Sequence, residues 1–231
     1  MIKLLPLLLA LLGLYVMTRF SAWQMARQLR AKSRVLKHDT LERLIDRIAV
    51  EAGIDRIAVR VLEEPTVNGL VTPSGDIYVT SGLIQHYQRG RLSGEEVTSV
   101  IAHELGHLAL GHTRRRMIDV SAAQTAGMVL GGILSRFIPF IGFYIAQALI
   151  GLFVTKLSRR DEFEADAFAT ALMVKAGFGA EPQARMLEKL ETLSPMAGTG
   201  RPPPWLASHP PVPDRAAAIR ENAHRWRERA A

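Results

Sequence analysis

The sequence predicts a mainly helical α+β fold with a small β-sheet, an N-terminal transmembrane helix and an internal apolar helical hairpin. Three observations lead to this prediction: helical periodicity along much of the chain, two short β segments, and two long apolar stretches. The 231 residues suit one domain of about 150 to 200 residues plus membrane segments. The absence of cysteine excludes disulfides, thiolate metal ligands and thiol catalysis.

Residues 4–20 form the first apolar stretch, which contains one charged residue, Arg19, and is long enough to span or nearly span a bilayer. We therefore expect residues 1–22 to be a membrane anchor and residues 23–231 to form the main domain. A cleaved signal peptide is the alternative, but the apolar run is long for one and no small-x-small cleavage site precedes Trp23. Basic residues are more frequent after this stretch than before it. This favours an integral protein of the plasma or inner membrane with its main domain in the cytoplasm.

The net charge of +7 is compatible with binding to nucleic acid or to anionic lipid. Because the basic residues flank apolar runs and do not interleave with aromatic ones, we expect the lipid bilayer as a partner and no nucleic acid. Nucleic-acid binding remains an alternative that rests on charge alone, and it predicts binding that weakens steeply with salt.

An amphipathic helix is predicted over residues 38–53, followed by two short β segments near residues 56–63 and 76–81. The second β segment follows a turn signal at Pro73-Ser74-Gly75. An edge strand can bind an extended peptide through its backbone, and residues 76–80 are the candidate for that role.

The next helix carries the most informative motif, His103-Glu104-Leu105-Gly106-His107. Ser93 and Glu96 match a capping box, so the helix is predicted to begin there, with Leu105 pointing into a core. The two imidazoles lie about 40° apart on one helix face. There they can bind one zinc ion, while Glu104 reaches the water on the metal, as is typical of zinc peptidases. The alternative is a helix with two ordinary core histidines and a surface glutamate.

Catalytic zinc usually takes three protein ligands and a water, so a third ligand is needed. The metzincin pattern would require Gly at position 110 and His at position 113, and this chain has Leu110 and Thr113 instead. His112, treated as part of the same helix, lies about 180° from His103 and is therefore expected to have a structural role.

The better source of a third ligand is the acidic helical stretch at residues 159–169. Glu162 and Asp166 share a helix face at i,i+4, whereas Glu164 points away from both. We therefore expect Glu162 to be the third ligand and Asp166 to accept the distal N–H of one of the two histidines. The alternative is a solvated acidic face that balances the neighbouring arginines.

Residues 120–155 form the second apolar region, which is interrupted by Arg136 and Pro139. His107 precedes this region and Glu162 follows it. If both bind the same ion, the chain between them must cross a membrane an even number of times. Residues 118–156 are therefore expected to be an inserted hairpin that spans twice or dips in without crossing. Basic residues at its base again favour a cytoplasmic site. A buried hairpin of the soluble core and a dimer surface are the alternatives, because its glycines suit close helix packing in either solvent.

Four groups of residues carry a family resemblance: His103 to His107 followed by Gly111-His112, Glu162-Phe163-Glu164-Ala165-Asp166, Ser208-His209-Pro210 with Arg215, and Val67-Asn68-Gly69 leading to Gly75 through Leu83. They resemble the HtpX-like and CaaX-prenyl-protease family of membrane-associated zinc metallopeptidases, which are gluzincins. The resemblance implies a zincin-like domain with one zinc ion per chain, bound by His103, His107 and Glu162, and Glu104 as the catalytic base. It also implies that His209 and Arg215 face the active site, and that the role is quality control of membrane proteins.

A breaker-rich loop from Ser194 to Pro204 precedes His209, and a new helix is predicted to start near Asp214. A cation at a helix N-terminus opposes the macrodipole, so Arg215 is expected to face a carboxylate or a substrate oxyanion. We expect His209 or Arg215 to stabilise the tetrahedral intermediate, and His209 can also occupy the open metal position. The alternatives are a loop histidine in solvent and an arginine that bridges surface acids.

The sequence therefore predicts a membrane-bound zinc metalloendopeptidase that hydrolyses peptide bonds in unfolded or membrane proteins. In this mechanism Glu104 takes a proton from the attacking water and passes it to the leaving amine. The alternative function is a zinc-stabilised membrane chaperone or scaffold that binds client proteins without cleaving them. Glu104 argues against the alternative, because holding zinc alone does not require that residue.

Overall fold

The computed structural model describes residues 5–193 and 215–228. This part of the chain folds into eight helices and four strands, which confirms the predicted mainly helical α+β class. In chain order the elements are α1 Leu5–Ala31, β1 Ser33–Val35, α2 Asp39–Glu51, β2 Val59–Leu62, β3 Gly69–Val71, β4 Ile77–Thr80, α3 Ser81–Gln88, α4 Gly94–Ala109, α5 His112–Phe137, α6 Gly142–Lys175, α7 Glu181–Leu193 and α8 Arg215–Glu228.

The four strands form one small mixed sheet in the order β1-β2-β4-β3. β1 is antiparallel to β2, β2 is parallel to β4, and β3 is antiparallel to β4. The two predicted β segments contain β2 and β4, whereas β1 and β3, with three residues each, are too short to show an alternating pattern. The expectation of an edge strand at residues 76–80 is wrong, because β4 is paired on both sides. The edge strands are instead β1 and β3, and β3 contacts α4.

The predicted amphipathic helix at residues 38–53 is α2. Its buried side chains, Leu41, Ile45, Ile48 and Ala49, follow the spacing of one helix face. The main hydrophobic core lies between this face, the sheet, and parts of α3, α4, α6 and α7. Burial of this apolar surface is what holds the short strands and the helices together.

Helix α4 lies in the centre of the core and carries the histidine motif. The predicted capping box starts it: the Ser93 N–H donates to the Glu96 carboxylate at 2.8 Å, and the Glu96 N–H donates to the Ser93 hydroxyl at 3.1 Å. The buried Glu96 carboxylate also accepts hydrogen bonds from the Lys189 ammonium of α7 at 2.8 and 2.9 Å. The same carboxylate therefore fixes the start of α4 and the position of α7. Leu105 is buried in the core, as predicted.

Helices α5 and α6 form an apolar hairpin whose turn, at residues 138–141, contains Pro139. The acidic stretch, expected as a helix of its own, is instead the second half of α6, which runs for 34 residues without a break. Many large apolar side chains of the hairpin are exposed: Met128, Val129, Ile133, Phe137, Ile138, Phe140, Ile141, Phe143, Tyr144, Leu149, Leu152 and Phe153.

Helix α1 contains most of the predicted membrane anchor, residues 1–22, and continues to Ala31. Across the residues that the structure describes, no helix combines the length and the apolar character that a membrane crossing requires. The anchor and the crossing of the hairpin stay predictions.

Candidate metal centre

Close packing of α4 against α6 brings the two predicted ligand motifs together. A Cβ atom at Gly106 would lie 3.0 Å from the backbone oxygen of Ala165 and 3.1 Å from its Cα atom. Only glycine allows the two backbones to approach this closely without a shift. The motif that contains Gly106 therefore faces the acidic stretch that contains Ala165.

Three predicted ligands converge at this contact. The Nε2 atoms of His103 and His107 lie 3.1 Å apart, and Glu162 oxygens lie 3.4 Å from each of them. In tetrahedral zinc sites, metal–ligand bonds of about 2.0 to 2.2 Å separate neighbouring ligand atoms by about 3.3 to 3.6 Å. All three side chains are buried. The donor set and its spacing fit one zinc ion.

Asp166 supports the first of these histidines. Its Oδ1 atom lies 2.9 Å from Nδ1 of His103, the nitrogen on the far side of the ring from the ligand cluster. Arg215 holds the same carboxylate with two hydrogen bonds, from Nε at 2.6 Å and from Nη2 at 2.8 Å. A third nitrogen, Nη1, lies 3.3 Å from Glu162. The buried Arg215 therefore orders the carboxylates of both Glu162 and Asp166.

The two histidines have pKa values that shift in opposite directions. Burial lowers the pKa of His107, and the net shift is downward although Glu162 acts to raise the pKa. The lowered pKa favours the neutral ring that a metal needs. Burial also acts to lower the pKa of His103, but hydrogen bonding to Asp166 and Glu162 outweighs it and raises the pKa. The carboxylates of Asp166 and Glu162 therefore favour a positive charge at the buried His103 ring.

Asp166 itself stays ionised in this setting. Burial acts to raise the pKa of Asp166, but the hydrogen bonds from Arg215 and His103 outweigh burial and hold the pKa below its usual value. An ionised carboxylate accepts hydrogen bonds from both partners at once. It can therefore fix the orientation of the His103 ring, which was the role expected of it.

Glu104 is buried and lies in the wall of a cleft that reaches His103 of the ligand cluster. It packs next to Gly69 of the edge strand β3. The other walls are mostly apolar: Val67, Leu83, Val100, Met186, Leu187 and Leu190. The polar part of the lining includes His103, Glu104, Asp166 and Arg215, together with Asn68, Ser99 and Gln183.

Two predicted active-site residues come from the C-terminal side. Arg215 is the first residue of α8 and reaches the cluster, and its described contacts are with Asp166 and Glu162. His209 lies outside the described residues, so its expected place at the open metal position stays a prediction.

His112 is the residue that the helical projection misplaced. Helix α4 ends at Ala109, and Gly111 adopts a left-handed conformation with φ of 70°, so His112 begins a new helix and does not continue the old one. Its Nδ1 atom lies 3.1 Å from Nδ1 of His107. The signal that the projection ignored was Gly111 itself, because glycine just after a helix commonly ends it.

Known proteases are similar to this chain. Metalloprotease YcaL of Escherichia coli (strain K12) is 33% identical over 158 residues, which cover 67% of this chain and 58% of YcaL. Metalloprotease LoiP of the same organism is 31% identical over 163 residues, with coverage of 67% and 58%. Protease HtpX of Pseudomonas paraeruginosa (strain DSM 24068 / PA7) is 26% identical over 249 aligned positions, with coverage of 93% and 83%. The chain spans little more than half the length of YcaL and LoiP.

A family model described as peptidase family M48 matches residues 36–223. This range contains every residue of the ligand cluster, the acidic motif and the cleft. It confirms the HtpX-like resemblance read from the motifs. The chain therefore belongs to peptidase family M48, a metallopeptidase family.

Proposed function

We propose that this protein is a zinc-dependent endopeptidase that cleaves unfolded or membrane proteins at the centre formed by His103, His107 and Glu162. One observation carries the proposal: donor atoms of three buried side chains lie 3.1 to 3.4 Å apart, which suits one tetrahedral zinc ion. Glu104 lines the adjacent cleft, within reach of a substrate. Membership in peptidase family M48 supports the same reaction.

The proposed mechanism assigns the proton transfers to Glu104. When bound, zinc would polarise the carbonyl of the scissile peptide bond and lower the pKa of water. Glu104 accepts a proton from the attacking water and donates it to the leaving amine. Its burial, at 3% exposure, shields this transfer from bulk solvent.

Arg215 and Asp166 have positioning roles in this proposal. Arg215 binds the Asp166 carboxylate and lies beside Glu162, and Asp166 in turn orients the His103 ring. A fixed ring orientation presents the Nε2 lone pair to the metal. Contacts of Arg215 or His209 with the oxyanion stay predictions.

The cleft supports a preference for extended, apolar polypeptide. Its walls are mostly apolar, and Gly69 of the edge strand β3 borders it. An extended chain can add to an edge strand through backbone hydrogen bonds, which do not depend on sequence. Unfolded segments offer both an exposed backbone and large apolar side chains.

Attachment to a lipid bilayer is the second part of the proposal. Large apolar side chains are exposed on α1, such as Phe20 and Trp23, and at the tip of the hairpin, such as Phe137 and Phe140. Exposed apolar surface of this extent marks an interaction site. The basic residues that flank both stretches favour a plasma or inner membrane protein with its centre on the cytoplasmic side.

The test compares Glu104→Gln with wild type in zinc content and in cleavage of casein. We expect Glu104→Gln to bind zinc and to lose cleavage, because the amide cannot accept the proton. His103→Ala is expected to lose both. Glu95→Gln, on the same helix but near its start, is the matched control and should cut casein like wild type.

Two results would contradict the proposal. Cleavage by Glu104→Gln at the wild-type rate would remove Glu104 from the mechanism. If the zinc-loaded wild type binds casein but leaves it as intact as the chelated protein does, the result would favour the chaperone or scaffold alternative, for which the exposed apolar hairpin offers a binding surface.

A further inference from the structure

His112 connects the metal centre to a second group of acids. It is almost completely buried, at 1% exposure, and its two ring nitrogens have different neighbours. Nδ1 lies 3.1 Å from Nδ1 of His107, and Nε2 lies 3.1 Å from Glu164 and 3.8 Å from Asp161. The left-handed turn at Gly111 is what folds His112 back onto His107.

Hydrogen-bond chemistry gives this chain of contacts one direction. A neutral imidazole carries one N–H donor and one acceptor nitrogen. A carboxylate only accepts, so the His112 Nε2–H donates to Glu164. The Nδ1 of His112 is then an acceptor, and the facing His107 Nδ1–H donates to it. His107 Nε2 is left as the lone pair directed at His103 and Glu162.

We propose that His112 is a positioning residue that fixes the tautomer and orientation of His107 for metal binding, with Glu164 as its anchor. The inference rests on the proposed function, because it needs a metal at His107 Nε2. Metal-binding histidines usually donate their other N–H to a carboxylate, a carbonyl or water. His103 follows this pattern directly with Asp166, whereas His107 reaches a carboxylate through the His112 ring.

A second metal site at His112, Asp161 and Glu164 is the competing explanation, because atoms of these three side chains lie within 4.8 Å of one another. Arg115 already contributes a positive charge there through an ion pair with Asp161, and it lies 3.9 Å from Glu164. Arg160 binds Glu164 at 2.8 Å. Two guanidinium groups balance the two acids, which favours the positioning role over a second cation.

The test is the zinc affinity of His112→Phe and His112→Asn, measured by competition with a chelator of known affinity. Phenylalanine supplies an aromatic ring without a nitrogen, so it cannot accept the hydrogen bond from His107. We expect zinc affinity to fall by about 10- to 100-fold. Asn keeps an acceptor oxygen close to the position of Nδ1, and we expect it to restore most of that loss. His86→Phe, which makes the same change at a partly exposed histidine of α3, is the matched control and should bind zinc like wild type.

A spectroscopic measurement separates positioning from a merely structural role. Long-range ¹H–¹⁵N spectra of the zinc-loaded wild type are expected to place the His107 proton on Nδ1. Urea unfolding of the chelated proteins reports any loss of fold. If His112→Phe does not fold, Glu164→Gln repeats the affinity measurement at a residue that is partly exposed, with a smaller loss expected.

The outcomes distinguish this inference from the proposed function. A wild type that binds no zinc overturns both. Zinc binding that His103→Ala abolishes and His112→Phe leaves unchanged overturns the inference alone. Two zinc ions in the wild type, one of which is lost in His112→Phe, would establish the competing second site.

Discussion

The two halves of α6 have opposite surroundings, although they belong to one uninterrupted helix. The first half exposes large apolar side chains such as Leu152 and Phe153. The second half buries the carboxylates of Asp161, Glu162 and Asp166. Proteins seldom expose extended apolar surface or bury charge unless a partner compensates for it. The acidic half has its partners within the fold, in α4, α5 and α8, whereas the apolar half faces outward and is assigned to lipid by our proposal.

This difference predicts that the acidic half governs stability and metal binding, and that the apolar half governs attachment. Among the changes considered, substitution of Asp166 is expected to lower the free energy of unfolding the most. Asp166→Ala removes the carboxylate that accepts two hydrogen bonds from the buried Arg215 and leaves the longer 3.3 Å contact with Glu162, and the loss of one partner of a buried ion pair typically costs about 3 to 5 kcal/mol. We expect a loss of this size in the free energy of urea unfolding, measured with a chelator present.

Asp166→Asn is the matched variant, since it keeps an acceptor for the same neighbours and should lose less. An Asp166→Ala protein as stable as its parent would mean that the buried half does not depend on this ion pair.

The glycines provide the second comparison. Gly106→Ala forces a Cβ atom against the backbone of Ala165, and overpacking of this kind costs about 1 to 3 kcal/mol. Gly151→Ala, in the apolar half of α6, has no atom within 4 Å of the added Cβ and should stabilise the helix by up to about 1 kcal/mol. Thermal unfolding of the two variants should therefore shift in opposite directions. Shifts of the same sign would refute the contrast in packing between Gly106 and Gly151.

Phe140 tests the apolar half. It is 93% exposed in the hairpin turn and has a positive φ of 68°, which asparagine tolerates better than phenylalanine. Phe140→Asn is expected to change unfolding free energy by less than about 0.5 kcal/mol. It should, however, reduce flotation with vesicles of anionic lipid. Val50→Asn, at another exposed apolar side chain on α2, is the control, and equal losses in both variants would argue against a specific role of the hairpin.

Arg160 lies near the border between the two halves, and its substitution should have the smallest effect. Its side chain is 76% exposed and pairs with Glu164 at i,i+4, a contact that solvent largely screens. Hydrogen bonding to Arg160 is the main cause that lowers the pKa of Glu164. The pair therefore contributes stability at neutral pH and loses it as the pH falls through the pKa of Glu164 in the folded protein. Unfolding curves of Arg160→Ala and wild type should converge in acid and in high salt.

Local signals made part of the fold and site predictable from sequence. Ser93 and Glu96 are three residues apart, so the start of α4 could be located without tertiary information. Glu162 and Asp166 lie on one face of one helix, so their spacing alone showed that the two side chains could act together. Such inferences depend on geometry within a single element, which sequence encodes directly.

The features that sequence did not reveal depend on contacts between distant elements. The three-residue strand β3 is defined by its pairing with β4, and the carboxylate that Arg215 binds is set by the packing of α8 on α6. His112 was misplaced because one glycine dihedral angle changes the chain direction. The continuity of α6 was also missed, because a change from apolar to charged composition was taken for an element boundary.

The unbroken α6 also sets a distance. About 20 residues separate Gly142, at the tip of the hairpin, from Glu162, and at about 1.5 Å per residue they measure about 30 Å along a straight helix. Our proposal holds the tip at a bilayer surface, so the helix would keep the metal centre at a constant height above the lipid, and a segment that stays closer to the membrane would escape hydrolysis.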